Sequence, residues 1–183
     1  MRPFILFALL LLAACAEVPR PVPLAPGVAL TLPAPGELGR VVEAFQVVTA
    51  TRGGEVSVFE SRLATTPDEV RLVTTDPLGR RALAIRWTAA GVEEDRAAWV
   101  PVELRAENVL ADLVLLYWPD AAIRRGLSGA SLEGTAGGRG IWTGDGEVVT
   151  VRHEGSDPWS GVSRLENRAW GYALDVRSAV MGP

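Results

Sequence analysis

The sequence has one cysteine, one histidine and no lysine, and these scarcities exclude several kinds of site. A lone cysteine has no partner for a disulfide within the chain, and a zinc site needs several cysteine or histidine ligands. His153 has Ser156 and Asp157 close to it in sequence, but no Gly-x-Ser-x-Gly elbow is present. Adjacency in sequence does not bring a catalytic triad together in space. We therefore expect no enzyme activity, no metal and no cofactor.

The chain also lacks a basic excess and a second long apolar run. All 18 basic residues are arginine, and the formal net charge is −4. A nucleic-acid binder typically carries a basic patch or stripe, so this composition argues against that class. Beyond the N-terminus, no run approaches the roughly 20 apolar residues of a membrane span.

The N-terminus has the layout of a secretory signal peptide over residues 1–14. Arg2 precedes an apolar run at residues 4–12 that is too short to span a bilayer. The segment ends Leu12-Ala13-Ala14-Cys15, which resembles the lipobox of bacterial lipoproteins. That resemblance implies that Cys15 becomes the lipidated first residue and that, with Ala16 after it, the protein goes to the periplasmic face of the outer membrane. The alternative is a plain signal peptide with a chance cysteine.

Residues 15–39 form the second predicted segment, and residues 40–183 form the folded domain. Six prolines lie at positions 19, 21, 23, 26, 33 and 35. Such density favours an extended, semi-rigid tether between the lipidated Cys15 and the domain.

Short runs rich in Val, Ile, Thr and Phe predict strands in the folded domain. They cover residues 41–49, 55–65, 69–75, 81–88, 92–103, 131–135, 139–143, 147–153, 162–167 and 171–179. Turns this short between them require antiparallel hairpins. In the middle, residues 106–117 have helical spacing of apolar residues, and residues 120–126 follow Pro119 as a second, short helix. We expect an α+β fold with a single curved antiparallel sheet of about ten or eleven strands, covered by a helical lid.

The hairpin at residues 69–88 carries the most specific feature of the chain. Asp76, Pro77 and Gly79 are the residue types that a type I turn favours, and they place Leu78 at the tip. A large apolar side chain at a loop tip is either incidental or contacts an apolar surface. Arg80 and Arg81 follow it, and we expect either contact with anionic headgroups or plain solvation.

Six tryptophans and several apolar strand residues are candidates for lining a cavity. Core packing is the simpler interpretation of each. A curved sheet under a helical lid, however, leaves a concavity, and apolar clefts with few polar groups bind acyl chains. The candidates in predicted strands are Phe45, Leu83, Ile85, Trp87 and Trp99.

The hairpin resembles that of the LolB family, outer-membrane lipoprotein receptors of the bacterial lipoprotein-sorting pathway. Residues 72–79 read LVTTDPLG, followed by Leu83 and Ile85, where that family has an apolar strand, Thr-Asn-Pro-Leu-Gly and an alternating strand. Asp76 stands where the family usually has Asn. The resemblance implies a LolA/LolB-like half-open β-barrel with an apolar cavity, and it implies that Leu78 inserts into the membrane during cargo transfer.

Two further segments are similar to an uncharacterised family of bacterial lipoproteins often encoded beside aryl-polyene and fatty-acid-synthase-like clusters. They are residues 116–119, LYWP, and residues 166–174, ENRAWGYAL. This similarity implies that the cargo is either a lipoprotein or a polyene-type lipid.

Three functions follow as hypotheses. The first is a non-enzymatic, monomeric, lipid-anchored protein that accepts an acylated cargo and helps to insert it into the outer membrane. The donor is either a soluble, LolA-like periplasmic carrier or a biosynthetic complex. The second is a structural or interaction lipoprotein of an envelope or lipid-biosynthesis complex. The third is a lipid-modifying hydrolase that uses His153.

Overall fold

The structure, a computed structural model, describes residues 20–102 and 104–181, so the predicted signal peptide and Cys15 lie outside the described residues. A first run of strands, two consecutive helices and a second run of strands follow one another as the sequence patterns predict, with additional elements in the N-terminal segment and the short strand β8 after the helices. The strands are β1 (Val22–Ala25), β2 (Val28–Leu30), β3 (Val42–Arg52), β4 (Glu55–Thr65), β5 (Glu69–Thr75), β6 (Arg81–Thr88), β7 (Gly91–Arg96), β8 (Leu127–Ser128), β9 (Ser131–Thr135), β10 (Gly138–Thr143), β11 (Gly146–Glu154), β12 (Gly161–Asn167) and β13 (Tyr172–Val180). The helices are α1 (Ala106–Tyr117) and α2 (Asp120–Gly126), and a 3-10 turn covers Pro35–Leu38.

Ten strands form one open antiparallel sheet in the order β7-β6-β5-β4-β3-β13-β12-β11-β10-β9. Each half is a meander of hairpins between sequence neighbours. The two halves join where β3 pairs with β13, with Val48 opposite Val176. The predicted α+β class, with a curved sheet of about ten strands that does not close, is confirmed.

The two helices lie between the two meanders in sequence, and α1 packs on the inner face of the sheet. Leu110 and Val114 are fully buried. The backbone N–H of Ala106 donates to Glu94 Oε2 of β7 at 2.7 Å, so a carboxylate occupies the positive end of the helix. Pro119 follows the helix, which ends at Tyr117. Among the described residues, none of the helices has the length and apolar character needed to cross a membrane.

The expected extended tether over residues 15–39 is wrong from residue 22 onward. β1 and β2 form a hairpin whose apolar residues Val22, Leu24, Val28 and Leu30 are buried, and β8 extends this hairpin into a three-stranded sheet. Prolines are compatible with this because β1 is an edge strand, where Pro removes no needed donor. The side chain of Asn167 donates to the Leu24 carbonyl at 2.9 Å and fixes the hairpin to the main sheet. The folded body therefore begins only about seven residues after Cys15.

The attachment of this hairpin depends on Gly129, and we expect Gly129→Ala to destabilise the protein by about 3 kcal/mol, more than the cost of positive φ alone. A Cβ at Gly129 (φ 78°) would lie 1.9 Å from the Gly27 carbonyl oxygen. Gly27→Ala is the matched control because Gly27 has a similar φ of 74° but no atom within 4 Å of its Cβ position. Urea denaturation of both variants measures the difference. Equal losses in the two variants would contradict the proposed close contact.

The segment after β7 also differs from expectation. The sequence predicted a strand to residue 103, but β7 ends at Arg96, and turns follow in which Val100 N–H donates to the Ala97 carbonyl and Leu104 N–H donates to the Pro101 carbonyl. Pro101 has no backbone N–H to donate to a neighbouring strand, and its presence favours turns over a continued strand. As a result, Trp99 leaves the sheet.

Candidate functional site

An apolar channel runs between the inner face of the sheet and α1. Its inner part has a cavity volume of about 130 Å³. Six of the aliphatic residues that line it are Val48, Leu72, Leu83, Leu113, Leu116 and Val176. Its outer part has a volume of about 560 Å³, within the roughly 300–1,000 Å³ of typical ligand sites. The two parts share wall residues, among them Ala50, Phe59 and Leu174.

The channel follows the axis of α1. Asn108 lines the outer part, Val109 and Asp112 line both parts, and Leu116 and Tyr117 line the inner part. From Asn108 to Tyr117 the helix rises about 14 Å. The site is therefore elongated along the helix.

The deep end of the channel is closed by a hydrogen-bonded polar group. Gln46 Nε2 donates to Tyr117 Oη at 2.9 Å and to Ser178 Oγ at 3.0 Å. Burial raises the pKa of Tyr117, although hydrogen bonds with Ser178, Ser163 and Gln46 act the other way. The phenol therefore stays neutral, and this end is a polar cap on an apolar pocket.

Asp112 is an ionisable wall residue midway along the channel, where it lines both parts. Its Oδ1 accepts a hydrogen bond of 2.7 Å from Tyr172 Oη. Burial raises the pKa of Asp112 to about 7, with the Tyr172 hydrogen bond acting in the opposite direction. Burial and the neighbouring carboxylate raise the pKa of Tyr172 as well, so this phenol remains the donor. The carboxyl is half-buried because it faces the channel.

The outer part of the channel opens at one end of the sheet. The hairpin turn between β3 and β4 lies at this end, and because Tyr172 pairs with Arg52, the turn before β13 lies there too. Arg52, Glu55, Pro101 and Trp170 line the outer part. Val22, at the start of β1, lines it as well, so the chain enters the folded body beside the mouth.

Exposed apolar side chains surround this end, and we call them the apolar rim. The rim consists of Val56, Leu78, Trp99, Val102 and Trp170. Val41 and Val180 are exposed at the opposite end of the sheet. Leu78 is the most exposed of all, at 81%. Val58 and Val73 are exposed on β4 and β5. Exposed apolar residues scattered singly need no explanation, but five at the same end of the sheet as the channel mouth indicate a contact surface.

The β5–β6 turn holds Leu78 outward with a rigid frame. Gly79 N–H donates to the Asp76 carbonyl at 2.9 Å, which closes a four-residue turn over Asp76, Pro77, Leu78 and Gly79. Gly79 has φ 77°, a conformation that glycine adopts readily. Asp76 Oδ1 accepts from the backbone N–H groups of Leu78 and Arg80 at 3.0 and 2.9 Å. Burial alone would raise the pKa of Asp76, but these bonds and the Arg80 guanidinium outweigh it and lower the pKa.

The two arginines after the turn are engaged within the protein. Arg80 forms an ion pair with Asp76 at 2.6 Å, and its guanidinium lies 5.0 Å from the ring centroid of Trp99. This cation–π contact connects the hairpin tip to the loop after β7. Arg81 pairs with Asp95 at 2.5 Å.

The predicted cavity residues take different positions. Leu83 lines the inner channel as expected. Ile85 and Trp87 share its face of β6 but are buried in the core, with Trp87 5.5 Å from Trp118. Phe45 alternates with the channel-lining Gln46 and therefore lies on the opposite face of β3. Trp99 is on the rim, because its segment is not a strand.

Sequence reasoning missed Asp112 and Tyr172. The available signal was an acidic residue at position 112 within an otherwise apolar face of a buried helix. Its pairing with Tyr172 depends on the position of β13 across α1, which no local pattern reports.

His153 is half-buried on β11, with its Nδ1 2.8 Å from Ser163 Oγ. Its Nε2 has no partner among the described residues. Burial, and then the charge of Arg139, lower its pKa. Asp157 pairs instead with Arg40 at 3.1 Å. In residues 20–102 and 104–181, no three His, Cys, Asp or Glu residues gather as metal ligands would.

Comparison with known proteins finds one family model that matches most of the chain. Residues 43–180 match the model of a family described as "Protein of unknown function (DUF3261)". No curated relative matches the chain. One similar solved structure is the crystal structure of a DUF1329 family protein from Desulfovibrio piger, with 10% identity over 79% of this chain and 87% of that chain, at a TM-score of 0.37.

Proposed function

Because this chain belongs to the DUF3261 family, whose description assigns no function, we propose a role from its own channel and rim. The protein binds a single acyl or alkyl chain in the channel and transfers an acylated cargo into a membrane through the apolar rim. It does this without catalysis. The observation that carries the proposal is that the channel mouth and Leu78 lie at the same end of the sheet.

The path of the N-terminus supports this orientation. Val22 lines the outer channel, so the chain enters the body at the mouth. If Cys15 carries a lipid, the seven residues from it to Val22 span at most about 25 Å. Such a short connection keeps the mouth near the bilayer. We propose that the bilayer is the outer membrane, reached from its periplasmic face, and that the donor is a soluble LolA-like carrier.

The frame around Leu78 supports an insertion role. Asp76 and Trp99 hold Arg80, so the tip presents its leucine without a flexible cationic neighbour. Inserting a leucine into hydrocarbon contributes about 1.5–3 kcal/mol, enough to bias a transfer step by about tenfold or more. The cargo is a lipoprotein or a polyene-type lipid. Its transfer needs no energy source, because each later site on its route binds it more tightly than the site before.

We expect Leu78→Glu to slow cargo transfer by about tenfold or more, because a carboxylate resists entry into the bilayer. The assay loads the purified protein with a pyrene-labelled fatty alcohol and follows its arrival in phosphatidylethanolamine–phosphatidylglycerol vesicles by fluorescence. Binding of the probe before vesicles are added should not change, since Leu78 is not in the channel wall.

Val41→Glu is the matched control. It likewise replaces an exposed apolar side chain with glutamate, but at the opposite end of the sheet, and its transfer rate should equal that of the native protein. A native rate in Leu78→Glu would remove the insertion role. A channel that binds no alkyl probe would favour the structural or interaction lipoprotein instead.

A further inference from the structure

Asp112 is a carboxylic acid in the wall that the inner and outer parts of the channel share. Leu113, Val109 and Leu174 lie beside it in the wall. A ligand long enough to occupy both parts must pass this carboxyl. The carboxyl therefore contacts whichever group of the bound ligand lies at this position.

The hydrogen bonds of the described residues only partly satisfy this carboxyl. A carboxylate has about four lone-pair sites, and the 2.7 Å hydrogen bond from Tyr172 fills one of them. Within residues 20–102 and 104–181, no arginine lies at salt-bridge distance from it. Among the described residues of the channel wall, the other charged ones are Arg52 on β3 and Glu55 on β4, both in the outer part.

A bound ligand displaces the water that solvates the channel side of this group. A plain methylene beside Asp112 leaves a buried polar group without a partner, which is unfavourable. A hydroxyl or amide N–H at the same place replaces the lost water. A sulfonate or carboxylate there adds a second negative charge in a low-dielectric site, where repulsion between like charges is strong.

We propose that Asp112 determines ligand specificity: the channel takes a single alkyl or acyl chain whose polar group is uncharged and donates a hydrogen bond to Asp112, and it rejects a chain with an anionic group. Tyr172 positions the carboxyl through its hydrogen bond. This inference rests on the proposed binding function of the same channel.

The test compares 1-dodecanol with 1-dodecanesulfonate, whose chains are equal and whose charge does not change with pH. At about pH 8 Asp112 is ionised, since burial raises its pKa only to about 7. By titration calorimetry or displacement of an apolar fluorescent probe, the native protein should bind dodecanol at least about tenfold more tightly than the sulfonate. Near pH 5.5, where Asp112 is neutral, the preference should shrink.

Asp112→Asn removes the charge and keeps an oxygen that accepts from Tyr172. It should strengthen sulfonate binding by about tenfold while changing dodecanol binding by less than about threefold. Asp68→Asn, the same change at an exposed turn on the opposite end, should leave both affinities unchanged. A merely structural role for Asp112 would move both affinities together.

Two outcomes overturn the inference and separate it from the proposed function. If the native protein binds both ligands alike, or if Asp112→Asn leaves their ratio unchanged, Asp112 does not select the ligand, although the channel still binds chains. If neither ligand binds any variant, the proposed binding function itself fails, and the inference fails with it.

Discussion

Replacing Trp118 with alanine should lower the free energy of unfolding by about 4 kcal/mol, the range of buried tryptophan truncations. Trp118 is completely buried where α1 ends, its ring centroid lies 5.5 Å from that of Trp87, and its Nε1 is 3.5 Å from the Ala34 carbonyl oxygen. It thus joins the helix, the sheet and the N-terminal segment. Its loss leaves a cavity where three parts of the molecule meet, and they cannot all collapse into it.

Urea denaturation followed by circular dichroism measures this loss, with Trp170→Ala as the control. Trp170 is 42% exposed on the apolar rim, and its truncation should cost less than about 1 kcal/mol. If the two variants lose similar stability, Trp118 does not have the central packing role that its burial indicates. Retention of the native far-ultraviolet spectrum in Trp118→Ala would show that the comparison concerns folded protein.

Replacing Asp112 with asparagine should stabilise the protein at about pH 8 by about 2 to 4 kcal/mol and have little effect near pH 4. Burial raises the pKa of Asp112 in the folded protein from its ordinary value of 3.8 to about 7. Between these values the folded protein holds a proton that the unfolded chain releases. Stability therefore falls as the pH rises through this window and stays lower above it. Asparagine carries no charge and escapes this loss.

Denaturation midpoints of the native protein and the variant, taken at several pH values, measure the effect. The difference should open between about pH 4 and pH 7 and then remain constant. Asp68→Asn controls for the loss of one negative charge on an exposed turn. A difference that is the same at every pH would mean that the carboxyl is solvated as freely in the folded protein as in the unfolded chain.

The sequence predicted the parts of the fold that local patterns determine. The bounds of α1 and α2 agree with the expected helices at residues 106–117 and 120–126, and β5 and β6 agree with the expected hairpin. Leu83, Ile85 and Trp87 alternate on one buried face of β6 as predicted. These features depend on residue periodicity and turn chemistry, both of which are visible along the chain.

The failures have physical causes. The prolines of the N-terminal segment suggested a tether, yet Val22, Leu24, Val28 and Leu30 alternate around Pro26-Gly27, a turn dipeptide that predicts the observed hairpin. Trp99 lies outside the sheet because β7 ends at Arg96 and a turn closed by Val100 N–H and the Ala97 carbonyl follows it. The Asp112–Tyr172 pair joins residues far apart in sequence, so only the packed structure brings it together.

The joining of β3 to β13 has a consequence for the order of folding. The first strand of the large sheet, β3, pairs with β4 through a short turn, but its other partner, β13, comes far later in the sequence, with Ala44 opposite Val180. Contacts between residues so distant in sequence are slow to form, and the local hairpins on either side precede them. The wall of the channel is incomplete until β13 is in place, since Tyr172, Leu174 and Val176 belong to it. Formation of the separate hairpins therefore does not create the channel, and the pairing of β13 with β3 completes it.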